Sequence, residues 1–156
     1  MTVRFACEKD IPQMDSLLYQ VERVHQQGRP DLFKEGAKKY TDNELKAMLK
    51  DKTKPIFAAV DENDVMKGYA FCVFQEHKGD NVLTDIKTLY IDDLCVGENC
   101  RGQHIGSVLY EAVKKFAKEQ GCYNVTLNVW ECNPSARKFY EKAGLKPYKT
   151  GMEVIL

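Results

Sequence analysis

The run Arg101-Gly102-Gln103-His104-Ile105-Gly106-Ser107 constrains this chain more than any other feature, because it joins a strand-like stretch ending at Val96 to a strongly amphipathic helix. Such a junction is suited to holding an anion. Gly102 and Gly106 let the backbone approach a ligand closely. The amides of a helix's first turn have no partners inside the helix and carry the positive end of its dipole. Ile105, Val108, Leu109, Ala112, Val113, Phe116 and Ala117 share one 3.6-period face of that helix, and Gly121 stands where a C-terminal cap belongs. Taken alone, the loop is equally compatible with an ordinary strand-to-helix turn.

Two nucleotide motifs of similar spelling fail on specific residues. A mononucleotide loop needs Lys followed by Ser or Thr at the helix start, and this chain has neither there. A dinucleotide fold needs three glycines and a ribose-binding acid after the next strand, where the chain reads Asn128-Val129-Trp130.

Downstream, Asn133-Pro134-Ser135-Ala136-Arg137-Lys138-Phe139-Tyr140-Glu141-Lys142-Ala143-Gly144 has the pattern of a short helix. Asn133 is its N-cap, Pro134 its first helical residue and Gly144 its stop. The combination of Val96, Arg101-x-x-x-x-Gly106, an intervening strand, Asn133 and Tyr140 resembles the GNAT superfamily of acyl-CoA-dependent N-acetyltransferases, from about Tyr69 to the C-terminus. In that family the pyrophosphate loop follows Gln/Arg-x-x-Gly-x-Gly/Ala, so Arg101 and Gly106 agree while His104 replaces the first glycine. The departure matters little if His104 has a negative φ, because the loop holds phosphate by amides rather than side chains; a left-handed φ would be costly for a residue with a Cβ.

Composition agrees with a single domain over residues 1–156. The chain is 44% hydrophobic and 29% charged, ordinary for a globular protein. Its 23 basic and 23 acidic residues generate no field that would attract nucleic acid or an anionic membrane. With no apolar leader at Met1-Thr2-Val3-Arg4-Phe5 and no membrane-length apolar run, the expected location is the cytoplasm. Cys7, Cys72, Cys95, Cys100, Cys122 and Cys132 show no CxxC spacing and are expected as reduced small hydrophobes. His25, His77 and His104 lie far apart, so no metal centre is expected.

The pattern along the chain is mixed α/β of the α+β kind. Val3 to Ala6 forms a first strand. Asp10 caps a helix carrying Ile11, Met14, Leu17, Leu18, Val21 and Val24. After a loop to about Tyr40, Thr41 and Glu44 form a capping-box pair for a second helix. Ile56–Val60, Lys67–Gln75 and Val82–Val96 follow as antiparallel strands joined by short polar turns. The helical crossover after Val96 makes its strand and Asn124–Trp130 parallel neighbours. A last extended segment runs from Lys146 to Leu156. The predicted fold is GNAT-like: a mostly antiparallel mixed sheet with one splayed parallel pair, flanked by about four helices. By resemblance, the pantetheine arm of acetyl-CoA enters that splay, where Leu94, Cys95 and Val96 offer strand amides and carbonyls to a peptide-like ligand. The cofactor site then comprises these three residues, Arg101, Gly102, Gln103, His104, Ile105, Gly106 and Ser107, and Asn133.

Acetyl transfer to an amine needs a base, an oxyanion donor and an acid for the departing thiolate. Tyr140, seven residues after Asn133, occupies the position of the family's acid. For the base, period-2 alternation places Tyr90, Asp92, Leu94 and Val96 on one face, and the resemblance implies that the positions of Tyr90 and Asp92 carry base residues facing the cleft, which makes Asp92 the best candidate. Asp93 faces away unless a bulge shifts the register. Some relatives carry Glu five residues before the Asn; here that position is Asn128, which cannot take a proton. The acceptor pocket implied by the resemblance uses Glu22, His25, Tyr40, Tyr90 and Asn128, with Tyr19, Arg29, Phe33 and Trp130 nearby. The partners implied are acetyl-CoA and an amine, with room for a homodimer. A catalytically silent acyl-CoA-binding module or sensor is the competing reading. A cysteine-linked covalent route has no support, since no Cys has an evident His partner.

Overall fold

The computed structural model describes all 156 residues. Five strands form one sheet in sequence order: β1 (Thr2–Phe5), β2 (Ile56–Val60), β3 (Met66–Glu76), β4 (Lys87–Val96) and β5 (Asn124–Leu127). Pairing is antiparallel except between β4 and β5, which run parallel. Four α-helices flank it: α1 (Ile11–Gly28), α2 (Asp42–Lys50), α3 (Ile105–Glu119) and α4 (Pro134–Lys142). None is long and apolar enough to cross a membrane.

Alternation along the strands sorts the core into two layers. Ile56, Ala58 and Val60 of β2 join Tyr69 and Phe71 of β3 against Met14, Leu17 and Leu18 of α1 and Leu45 and Met48 of α2. Phe57, Ala59, Ala70, Cys72, Leu89 and Ile91 face Ile105, Leu109, Tyr110, Val113 and Ala117 of α3. Both faces of β2 are therefore buried, which explains its unbroken apolar sequence. On α3 the buried spine is Ile105, Leu109, Val113 and Ala117, widened by Tyr110; Val108, expected in the core, is 41% exposed. Thr41 caps α2 through the Glu44 amide, as the capping pair requires. Gly121 follows α3, and the amides of Gly121 and Cys122 return to the Lys118 and Ala117 carbonyls, which closes that helix.

Several boundaries differ from the sequence expectation, each for a local reason. Strand β4 starts at Lys87 rather than Val82, because the Asp80 carboxylate accepts the Val82 and Leu83 amides and turns that backbone away from pairing. Strand β5 stops at Leu127 rather than Trp130, where its pairing with β4 ends. Residues 146–156 form no strand. Asp10 precedes α1, but its carboxylate does not cap the helix; it accepts the Cys7 amide and two bonds from the Arg4 guanidinium.

Candidate active site

The cleft begins where the parallel pair comes apart. Strands β4 and β5 are in register only from Thr88↔Asn124 to Ile91↔Leu127, with the Thr88 hydroxyl donating to Asn124 Oδ1 at 2.6 Å. Beyond Ile91, the edge of β4 from Asp92 to Val96 has no strand beside it, while its other edge stays paired to β3 as far as Gly68↔Val96. A β-bulge sits at this point: Phe71 opposes Asp93 and Cys72 opposes Ile91, so Asp92 is the extra residue. The bulge reverses the parity of everything after it. Leu94 and Val96 pack in the α3 layer with Leu89 and Ile91, whereas Cys95 lies in the α1 layer. The expected common face of Tyr90, Asp92, Leu94 and Val96 is therefore broken. Asp92 and Asp93 both reach groups of the α1 layer, namely Tyr40 and Tyr69.

The anion loop lies at one end of this gap. His104 is the N-cap of α3 with φ +59°, and its side chain makes no capping bond. Of the two alternatives, the costly one holds: His104 adopts the left-handed conformation of the glycine it replaces, at a cost of roughly 1–2 kcal/mol. Because His104 does not cap the helix and its first turn holds no acidic residue, the amides of Ile105, Gly106 and Ser107 are left for a ligand. These residues fit a pyrophosphate. Gly106 also serves packing: a Cβ there would lie 3.2 Å from Phe139 Cζ and 3.6 Å from a Val96 methyl. Asn133 caps α4 through the Ala136 amide at 3.3 Å and also accepts the Ser135 hydroxyl, so its Oδ1 is committed to the helix.

Polar side chains gather on the α1 side of the bulge. Lys39 Nζ lies 2.9 Å from Asp92 Oδ1, and the Tyr40 hydroxyl donates to Asp92 Oδ2. Both oxygens of the expected base are thus occupied. Asp93 accepts the Tyr69 hydroxyl at 2.8 Å. Burial raises the Asp93 carboxyl to about 6, although the Tyr69 bond, Lys39 and His25 oppose the rise. Tyr140, half-buried on α4, is held well above the ordinary phenol range by burial and then by the charges of Asp93 and Cys95. It remains a protonated donor at neutral pH. Cys95 is buried, contacts the Leu17 carbonyl and has its thiol pushed up to about 12 by burial, which makes it a poor nucleophile.

The opposite wall is aromatic and acidic. The His25 ring lies 5.1 Å from Phe33 and 6.5 Å from Trp130, and Phe33 meets Trp130 edge-on at 5.1 Å. Gly28 makes this assembly close, since a Cβ there would lie 2.7 Å from Cys132 Sγ in the loop after β5. Glu22 Oε1 is 3.8 Å from His25 Nδ1; burial raises the Glu22 carboxyl and lowers the His25 imidazole. Asn128 Nδ2 donates to the Tyr90 hydroxyl at 3.3 Å, bridging β5 and β4 beside the gap. Arg29 is engaged by Asp31 and Glu153.

Comparison with known proteins agrees with this geometry. Residues 18–145 match the Acetyltransferase (GNAT) family. The chain belongs to the GNAT acetyltransferase family. Among curated relatives, glucosamine 6-phosphate N-acetyltransferase of Candida albicans is 37% identical over 60 residues, 38% of each chain. The corresponding protein of Dictyostelium discoideum is 31% identical over 67 residues, 43% of this chain and 41% of its own. The matched part therefore spans about two fifths of those relatives. Among solved structures, a mutant protein from Bacillus halodurans superposes with TM-score 0.95 at 28% identity, covering 100% of this chain and 99% of its own. An aminoglycoside N-acetyltransferase in complex with CoA superposes at 0.72 with 14% identity over 99% of this chain and 98% of its own, a likeness of fold.

For this GNAT chain, the structure gathers Glu22, His25, Tyr40, Tyr90 and Asn128 around the parted strands, along with Asp92. Tyr140 comes into the field of Asp93. Sequence reading missed Lys39, Tyr69 and the orientation of Asp93. The alternation break at Asp92-Asp93, between apolar residues of opposite parity, was the available signal for the bulge.

Proposed function

We propose that this chain moves an acetyl group from acetyl-CoA to a primary amine by direct attack within a ternary complex. The observation that carries this reading is the open first turn of α3, set beside the unpaired edge of β4 in a GNAT fold. Gly102, Gln103, Ile105, Gly106 and Ser107 hold the pyrophosphate by backbone amides, with Arg101 and His104 flanking them. The strand-free edge at Leu94, Cys95 and Val96 receives the pantetheine arm, with the Val96 carbonyl already accepting a bond from Gln20 Nε2 at 3.0 Å, and Asn133 keeps its Nδ2 for the cofactor. Acetyl-CoA supplies the reactive thioester carbonyl. Tyr140 gives a proton to the departing sulfur, and Asp92, fixed by Lys39 and Tyr40, helps hold the ammonium group.

The cations of the acceptor side support a basic amine over a phosphorylated one. Arg29, Lys38 and Lys39 already pair with Asp31 and Glu153, with Asp15 and Asp42, and with Asp92. Glu22 and Asp93, neither paired to a Lys or Arg, leave the pocket acidic. A phosphate seated on any of these three cations would have to break an existing ion pair, whereas a second ammonium meets a carboxylate.

Thiol release from acetyl-CoA across a panel of diamines, aminoglycosides, amino acids and glucosamine 6-phosphate tests the reading. Release with basic amines in preference to glucosamine 6-phosphate is expected. CoA-dependent thermal stabilisation without release from any amine would instead favour the silent binding module. Tyr140→Phe should lower turnover by about 10² to 10⁴ while the stabilisation by CoA persists. Unchanged turnover would return Tyr140 to a packing role.

A further inference from the structure

We propose that Asp93, rather than Asp92, is the group that removes the proton from the acceptor amine. This assignment rests on the N-acetyltransferase reading and adds to it the residue that performs the first chemical step.

The bulge is what makes Asp93 available. With Asp92 inserted as the extra residue, the side chain of Asp93 reaches the cleft side of the sheet, where Tyr69 of β3 meets it. In an unbulged strand, consecutive residues cannot both address one face. The two carboxylates then divide by their partners. Asp92 holds an ion pair to Lys39 on one oxygen and the Tyr40 hydroxyl on the other, so its negative charge is already balanced. Asp93 has one neutral donor, Tyr69, and no salt-bridge partner. The ionisable groups that influence it are Asp92 on its own strand, His25 on α1 and Lys39 before α2; it acts in turn on Cys95 and on Tyr140 of α4. Of these, only Lys39 is a permanent cation, and Lys39 is bonded to Asp92. Desolvation therefore dominates, and the carboxyl titrates at about 6, close to the range where a base works best at neutral pH.

The proton balance closes with residues already in place. The ammonium gives one proton to Asp93, which later releases it to solvent. The freed nitrogen lone pair forms the carbon–nitrogen bond as the carbon–sulfur bond breaks. Tyr140 protonates the departing thiolate and is restored by the proton the nitrogen sheds on becoming an amide. Asp93 and Tyr140, already coupled electrostatically, stand at the two ends of this transfer.

The test compares Asp93→Asn, Asp93→Glu and Asp92→Asn with the wild type as full-length proteins, in kcat/KM against pH with acetyl-CoA and the best amine of the panel. The side-chain carbonyl introduced by Asp93→Asn can still accept the Tyr69 hydroxyl, and a CoA-induced melting shift equal to that of the wild type verifies the site. Asp93→Asn is expected to lose about 10² to 10⁴ in kcat at pH 7 and to lose the acidic limb near pH 6. Asp93→Glu should recover part of both, and Asp92→Asn should keep the limb and chiefly raise the amine KM. Carboxyl ¹³C resonances of the protein without ligands should include one aspartate titrating near 6 that disappears in Asp93→Asn. Retention of the limb and the rate in Asp93→Asn, or their loss in Asp92→Asn alone, would overturn the assignment. Wild type that releases no thiol with any amine would overturn the acetyltransferase reading, and this assignment with it.

Discussion

Two aspartates of this chain are withdrawn from solvent in opposite ways. At the corner of β1 and α1, Asp10 is fully buried, yet the Arg4 guanidinium bonds both its oxygens at 2.8 and 2.9 Å. Burial pushes the Asp10 carboxyl up, but the Arg4 bonds and the Cys7 amide outweigh it and hold the group at about 2. In the cleft, half-buried Asp93 receives only a neutral hydroxyl, desolvation by its surroundings wins, and the carboxyl is raised to about 6. The first arrangement contributes stability at neutral pH; the second subtracts it. A carboxylate withdrawn from water beside a cation is a structural tie, whereas one without a cation has its proton affinity raised.

The comparison is broken most severely by Arg4→Ala. It leaves Asp10 buried without a countercharge and leaves Asp64, which Arg4 and Lys9 share, paired to Lys9 alone. A loss of about 3 to 5 kcal/mol in unfolding free energy is expected, measured by urea titration at pH 7. The pH dependence should change with it. Because the folded carboxyl of Asp10 lies below its ordinary value of 3.8, its contribution is full above about pH 4 and fades as pH falls toward 2. The wild type should show that acid limb, and Arg4→Ala should show much less of it.

A smaller effect is expected from Gly106→Val. The added side chain meets Phe139 and Val96, so the fold should lose about 1 to 3 kcal/mol. The CoA-induced rise in melting temperature should vanish as well. A variant that stays as stable as the wild type but binds no CoA would confine Gly106 to ligand approach.

Asp93→Asn should act in the opposite direction to Arg4→Ala. A raised carboxyl means that the folded state favours the protonated form, so stability is full below about pH 4 and declines as pH rises through 6. Removing the charge should therefore stabilise the protein at pH 7 by about 1 to 2 kcal/mol, a gain held down by the partial exposure of the side chain. Calorimetric melting at pH 4 and pH 7 checks it, and equal effects at both would count against an ionised Asp93. The smallest change is expected from His104→Gly. It relieves the left-handed φ at that cap but gives the unfolded chain more freedom, for a net gain below about 1 kcal/mol, or a few degrees in melting temperature. CoA stabilisation should persist, since the first-turn amides are unchanged.

The parts of the site that were legible in the sequence are those written by contiguous residues. Arg101 to Ser107, the helix that follows and the Asn133–Pro134 start of α4 all announce themselves through local rules of capping and periodicity. The acceptor side did not. Lys39 reaches Asp92 across 53 residues of chain, and Tyr69 reaches Asp93 across 24. Such pairings depend on strand register, which no single segment encodes. His104 marks the same limit on a smaller scale: the motif showed a missing glycine, and only the backbone showed that the left-handed turn had been kept without one.

The sequence by itself determined the alternation of strands and helices, the parallel crossover from β4 to β5 and the turn that starts α3 near the beginning of that crossover, because hydrophobic period, caps and turn residues act over a few residues at a time. The tertiary structure alone decided which aspartate is paired with a cation and which has its proton affinity raised. One inserted residue in β4 reverses side-chain direction from that point on, and a carboxylate's proton affinity depends on the groups that packing brings against it.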